Sequence, residues 1–257
     1  RHAMSLGDQA EGPCLLPPQP GSLRVYLVRH AESQNNVMLA AADDVAGDYQ
    51  DRRASDPRLS EKGEQQATFA GRYLATLPLT HFYTSAMRRA LQTAGVAASH
   101  MSVKPEVWVQ LHEAGGIYKK VEGVKVGETG LSREHVEAEF STFELPADLT
   151  AEGWWKKGKF EQWEETCARA AQVLDRLRGL AAEAGRTNKV EVVALVTHGD
   201  FLNCLVRTIL EVNSPVISFK HLNCGITCFD LTPVESGFKT EVKFINAGGH
   251  VPVSIQS

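Results

Sequence analysis

The sequence predicts an α/β protein of three α/β/α layers around a mostly parallel central sheet. Three observations carry that expectation. Between residues 23 and 210, apolar runs of strand length alternate with amphipathic stretches at helical spacing, the pattern of a sheet covered by helices on both faces. Residues 190–197 (VEVVALVT) are almost wholly apolar, as a central strand buried on both sides requires. No internal repeat or low-complexity domain interrupts the series, so residues 23–257 read as one domain.

Taken in order, residues 1–22 are rich in Gly and Pro, lack the apolar core of a secretory signal, and read as a loose tail. Residues 23–28 form a short strand, and a helix begins near Ser33. Residues 42–57, rich in Asp, Arg and Gly, read as a loop. Ser60 supplies an N-cap for a helix with Ala67, Ala70, Leu74 and Leu77 on one face, stopped by Pro78. Residues 81–84 read as a strand, with Ser85 capping the helix that follows. VWVQLHE, residues 107–113, alternates like a strand ending near Glu113. Residues 114–158 are glycine-rich without a long periodic core, an inserted and mostly exposed segment with a short helix at 132–140. A long amphipathic helix covers 160–184, another helix follows at 201–210, and GITCFDL and EVKFIN close the sheet.

Composition excludes several classes of partner. Net charge is −4 with 23% charged residues, whereas nucleic acid and anionic membrane surfaces select basic proteins. No apolar run approaches the ~18 residues of a membrane span. The five cysteines are irregularly spaced, with no pair at zinc-knuckle or redox-motif spacing; Cys204, Cys224 and Cys228 fall in apolar stretches and read as reduced core thiols of a cytoplasmic protein.

The chemistry collects at strand ends. Ligands of such sheets bind beyond the carboxyl ends of the strands. Two apolar strands end there in histidine: one runs into Arg29-His30, the other into His198-Gly199. One such histidine is more often a satisfied, half-buried residue than a functional one; two on matching edges, one preceded by arginine, point to a site. Arg88 and Arg89 fall in the first turn of a helix, where a cation opposes the macrodipole at about 0.3–1 kcal/mol each. Solvated arginines explain that blandly, and an anion site explains it better. Glu113 is an ordinary surface carboxylate or, if burial raises its pKa, a proton donor. This set suits a phosphoryl group: arginine forks match its oxygens, and a neutral imidazole is a competent nucleophile near pH 7. A metallohydrolase is disfavoured, since no His-x-His or His-Glu-x-x-His spacing occurs.

These residues resemble the signature of the histidine phosphatase superfamily, the phosphoglycerate-mutase-like proteins. Arg29-His30-Ala31-Glu32-Ser33 with Asn36 looks like its first motif. LSEKGEQQA (59–67), SAMRRALQTA (85–94), LHE (111–113), VTHGDFL (196–202) and INAGGHV (245–251) match its later landmarks in order. The resemblance implies a phosphohistidine on His30, charge neutralisation by Arg29, Arg89 and His198, and Glu113 as donor to the leaving oxygen. It places Arg89, not Arg88, at the family's arginine, and implies no metal or organic cofactor. Ser33, Asn36 and Gly199 are candidate substrate contacts; capping and helical positions are the plain alternatives for the first two. Lys119, Lys120, Lys125 and Arg133 read as a solvated basic face, Trp154 and Trp155 as packing, and His112 and His250 as structural. Two departures stand out: Ala31 where glycine is usual, and Ala114-Gly115-Gly116-Ile117 where true mutases continue Arg-His-Tyr-Gly. The second favours hydrolysis over isomerisation. The expected partner is a small phosphorylated substrate or phosphopeptide, with a homodimer left open and a catalytically silent binding protein as the rival from another class.

Overall fold

The computed structural model describes residue 13, residues 15–43 and residues 48–257. Cys14 and most of the predicted tail lie outside the described residues. The part of that tail within them is tied down: Tyr73 Oη donates to the Pro13 carbonyl, and Arg24 Nη1 to that of Leu16.

The main sheet has six strands: β1 (Leu23–Arg29), β2 (His81–Thr84), β3 (Pro105–Val107), β6 (Glu191–Thr197), β7 (Ile226–Val234) and β8 (Gly237–Ala247). Their spatial order is β3-β2-β6-β1-β7-β8, with the first four parallel and the last two antiparallel. Period-2 alternation builds both layers. Leu23, Val25 and Leu27 of β1, with Val193 and Leu195 of β6, face α6 (Trp163–Thr187) and α7 (Gly199–Ile209). Tyr26, Val28, Val192, Ala194 and Val196 face the other way, into the core completed by α3 (Glu61–Leu74) and α4 (Arg88–Ala98). Every residue of β6 after Glu191 is buried, as the central position demands. Cys204, Cys224 and Cys228 are buried free thiols, and burial pushes Cys204 and Cys228 up to about 12.

Helix α1 (Gln34–Ala40) starts where the sequence places it: Ser33 and Asn36 form a reciprocal capping box. Ser60 likewise caps α3, accepting from the Gly63 N–H at 3.0 Å.

The structure departs from expectation in four places. The 42–57 loop contains a one-turn helix, α2 (Asp48–Arg52). Met87, not Ser85, occupies the N-cap of α4 and makes no side-chain cap bond. A distant carboxylate serves instead, Asp56 Oδ1 accepting the Arg88 N–H at 3.0 Å, while Ser85 is engaged with a histidine described below. β3 ends at Val107, and Val109–Leu111 is a 3₁₀ turn. Trp108 and Leu111 pack on one side of the sheet and Val107 and Val109 on the other, so the apparent alternation is the start of a turn. The inserted segment holds a two-stranded hairpin, β4 (Tyr118–Val121) and β5 (Val124–Gly127), besides the expected short helix α5 (Arg133–Glu139). It is not merely surface, because Ile117, Val136, Leu149 and Trp154 are buried against the core.

Candidate active site

Parallel pairing sets the site. β1 and β6 run in register with Arg29 opposite Thr197, so the next residues, His30 and His198, emerge at the same sheet edge. The His30 N–H donates to the Thr197 carbonyl at 2.8 Å, and the two imidazoles lie 5.1 Å apart, tilted by 54°. Arg89 arrives from the first turn of α4, and Glu113 from just beyond the 3₁₀ turn. Arg29, His30, Ser33, Asn36, Arg89, Glu113 and Gly199 all line one cleft of about 290 Å³.

His30 is fixed in one tautomer. Its Nδ1 donates to the Ala31 carbonyl at 2.7 Å, a group that can only accept, which leaves Nε2 unprotonated. Arg89 Nε donates to that Nε2 at 3.0 Å. Burial, then the charges of Arg89 and Arg29, hold the imidazole well below the usual histidine range. Arg29 Nη1 donates to the His221 carbonyl at 2.6 Å, and its buried Nε has no partner among the described residues. A Cβ at Gly199 would sit 3.3 Å from that Nε, so the glycine leaves the guanidinium its place.

His198 differs from its expected placement in one respect. It lies against His30 but behind the cleft wall, fully buried. Its Nε2 is 2.8 Å from Ser85 Oγ, which accepts the Met87 N–H. His198 Nδ1 is without a partner among the described residues. Burial and then Arg89 push this histidine down as well.

Glu113 is half-buried at the start of α7. Its Oε1 accepts from the N–H groups of Phe201 and Ala114 at 2.9 and 3.0 Å. Burial, then the charge of Asp200, raises its pKa despite those bonds. A carboxyl so placed is held toward its protonated form.

Asn36 Oδ1 accepts from both the N–H and the hydroxyl of Ser33, at 3.0 and 2.9 Å. The Ser33 hydroxyl is thereby committed to the cap, while the Asn36 amide donors are unused among the described residues. Arg88 does not join the site: its side chain lines a neighbouring cleft. The basic face is largely paired, Lys119 with Glu128 at 2.5 Å, Lys120 with Asp51 at 3.2 Å and Arg133 with Glu137 at 3.2 Å; Lys125 stands over the Phe160 ring. Trp154 and Trp155 pack on His112, His250 stacks on Tyr73, and His221 bonds Thr227 at 2.7 Å. Burial takes His112 down to about 3 and His221 and His250 to about 4. No group of three or more His, Cys, Asp or Glu side chains is arranged to hold a metal among the described residues, and none of their helices is long and apolar enough to cross a membrane.

Sequence reasoning missed Arg53, Tyr118, Asp200, Ser85 and Asn223. The first three line the cleft, Ser85 orients His198, and Asn223 Nδ2 donates to the His30 carbonyl at 3.0 Å. Asp200 carried a usable signal, an acid in the first turn of a helix that opens on His198-Gly199. Arg53 carried none, being one of several arginines in a segment read as loop.

Residues 25–241 match the model of the histidine phosphatase superfamily, branch 1. The chain belongs to that superfamily. Among curated relatives, the probable phosphoglycerate mutase GpmB of Salmonella choleraesuis is 29% identical over 214 residues, covering 81% of this chain and 85% of that protein. The same protein from Klebsiella pneumoniae is 28% identical over the same length and shares. Among solved structures, phosphoglycerate mutase from Bacillus anthracis superposes with a TM-score of 0.58 at 19% identity, covering 91% of this chain and 96% of that one. Mycobacterial glucosyl-3-phosphoglycerate phosphatase gives 0.55 at 18% identity over 88% and 99%. At these identities the structures bear out the predicted α/β fold and nothing finer.

Proposed function

We propose that the protein is a phosphatase that hydrolyses phosphomonoesters through a phosphohistidine on His30. The observation that carries this reading is the His30 tautomer: an unprotonated Nε2, locked by the Ala31 carbonyl, lines a cleft flanked by two arginines and a half-buried carboxyl. In this reading Arg29 and Arg89 neutralise the phosphoryl oxygens, which is most of what phosphoryl transfer asks of a protein, and His198 packs behind the His30 ring. Arg89 gives up its bond to Nε2 when the phosphoryl group enters. Nε2 then attacks phosphorus in line as the ester P–O bond breaks, and Glu113 gives its proton to the departing oxygen. The Glu113 carboxylate next takes a proton from water, the hydroxyl attacks phosphorus, the P–N bond breaks, and Glu113 ends protonated. The arginines supply the positive charge, so no metal has a part in these steps.

The names of the GpmB relatives raise isomerisation as the second reading. Against it stands the segment after Glu113. Gly115 and Gly116 both have positive φ (88° and 71°), and a Cβ on Gly116 would collide with the Trp155 ring. Where true mutases carry bulky side chains, this chain has turned and packed without them. Product analysis separates the readings. Over a panel of phosphomonoesters, hydrolysis predicts stoichiometric free phosphate that is lost in His30→Ala, and isomer formation without phosphate release contradicts it. No release from any ester would favour the silent binding protein.

A further inference from the structure

We propose that the leaving group of the substrate carries a second anionic group, a phosphate or a carboxylate, and that Arg53 reads it. This rests on the phosphatase reading of the same cleft.

Arg53 follows α2 and lines the catalytic cleft. Its guanidinium is held in place before any ligand arrives. Nη1 donates to the Tyr118 carbonyl at 2.9 Å, and Cζ stands 4.1 Å above the Tyr118 ring. That ring is braced edge-on by Phe160 at 4.9 Å and 89°. A stacked guanidinium loses little freedom on binding, and its remaining donors are already aimed.

Arg53 is a third guanidinium in the cleft, beside Arg29 and Arg89. A phosphomonoester dianion is matched by Arg29 and Arg89. Arg53 is left without a direct carboxylate contact, and its charge is among those pressing Arg89's pKa downward. Lys119, Lys120 and Arg133 of the inserted segment have carboxylate partners and Lys125 lies over the Tyr118 and Phe160 rings, whereas no carboxylate lies within ion-pair distance of Arg53 among the described residues. Among the described residues the other acid lining this cleft is Asp200, which acts on Glu113 and Arg29 and makes no ion pair with Arg53.

The leaving group also has somewhere to go. Ser55, two residues after Arg53, lies on the wall of the catalytic cleft and on that of an adjoining cleft of about 620 Å³. That second space presents Arg88 and Lys157, neither ion-paired among the described residues, beside Asp56, whose Oδ1 is taken by the Arg88 N–H. A small carbon skeleton passing Arg53 therefore meets further positive charge rather than a wall.

The test compares substrates that share one scissile ester: glucose 1,6-bisphosphate against glucose 6-phosphate for a second phosphate, and 6-phosphogluconate against sorbitol 6-phosphate for a carboxylate. In at least one arm the doubly anionic member is expected to have kcat/KM about tenfold higher, and Arg53→Gln to bring the ratio within about twofold, with partial recovery in Arg53→Lys. Calorimetric Kd values on the His30→Ala protein should show the same discrimination without turnover. Turnover with no discrimination in either arm, or an Arg53→Gln loss equal for both members of each pair, overturns the inference and leaves the phosphatase reading standing; in the latter case Arg53 holds the scissile phosphoryl group. Discrimination in Kd with no turnover of any ester supports the Arg53 site and overturns the phosphatase reading. Neither discrimination nor turnover overturns both.

Discussion

Glu113 shows how a single carboxyl is made into a donor. Burial and the nearby Asp200 charge outweigh two backbone N–H bonds and the pull of Arg89, and its pKa rises. A donor must hold its proton, so its contribution is present below the raised pKa and lost as pH climbs through it. Because His30 is held neutral by pKa depression, it supplies no matching loss on that basic side. Glu113→Gln is expected to lower kcat by about 10²–10⁴ on alkyl phosphates and to remove the basic limb of the kcat–pH profile. With p-nitrophenyl phosphate, whose leaving group needs no proton, the first-turnover burst of nitrophenol should suffer much less, while hydrolysis of the phosphoenzyme stays slow. An unchanged basic limb would assign the donor elsewhere. The residues legible in the sequence were those at strand ends and helix starts, where position alone argues. Ser85 was misread because its hydroxyl was taken for a cap, and only the crossing of β2 beside β6 reveals its bond to His198.

Among the elements, α3 illustrates a motif with a mechanical cause. Its first turn lies on the backbone that follows His30. The Ser60 N–H donates to the Glu32 carbonyl at 2.9 Å, Ser60 Oγ to Glu32 Oε1 at 2.8 Å, and Lys62 pairs with Glu32 Oε2 at 2.6 Å. A Cβ at Gly63 would collide with the Glu32 carbonyl. Helix propensity alone says Gly63→Ala stabilises by about 1 kcal/mol. The close approach says otherwise: overpacking against backbone costs about 1–3 kcal/mol, and thermal denaturation should show Tm lowered by about 2–10 °C. A raised Tm would mean that α3 does not seat the loop after His30. The strongly patterned elements β1, β6, α3 and α6 were readable because burial imposes period 2 or 3.6 on them. The hairpin β4–β5 was not, since YKKV and VKVG show no buried face of their own and it leans on Tyr118 and Phe160.

At the scale of the whole molecule, the site is a product of topology. Segments near residues 30, 89, 113 and 198 meet because β1, β6, β2 and β3 are neighbours running in the same direction. That convergence could be anticipated from two histidines closing two buried strands, and the parallel register delivers it within one residue step. The leaving-group wall escaped anticipation because it is built from α2 and the inserted hairpin, whose contacts to each other are set by tertiary packing rather than by any local pattern. What His30 does in that shared space decides the chemistry. Rapid quench into alkaline detergent of the enzyme with ³²P-labelled substrate measures this most directly. The prediction is a base-stable, acid-labile phosphoenzyme formed within the first turnover and mapped to the peptide containing His30, absent in His30→Ala. Steady turnover with no such species, or label on any other residue, would contradict it.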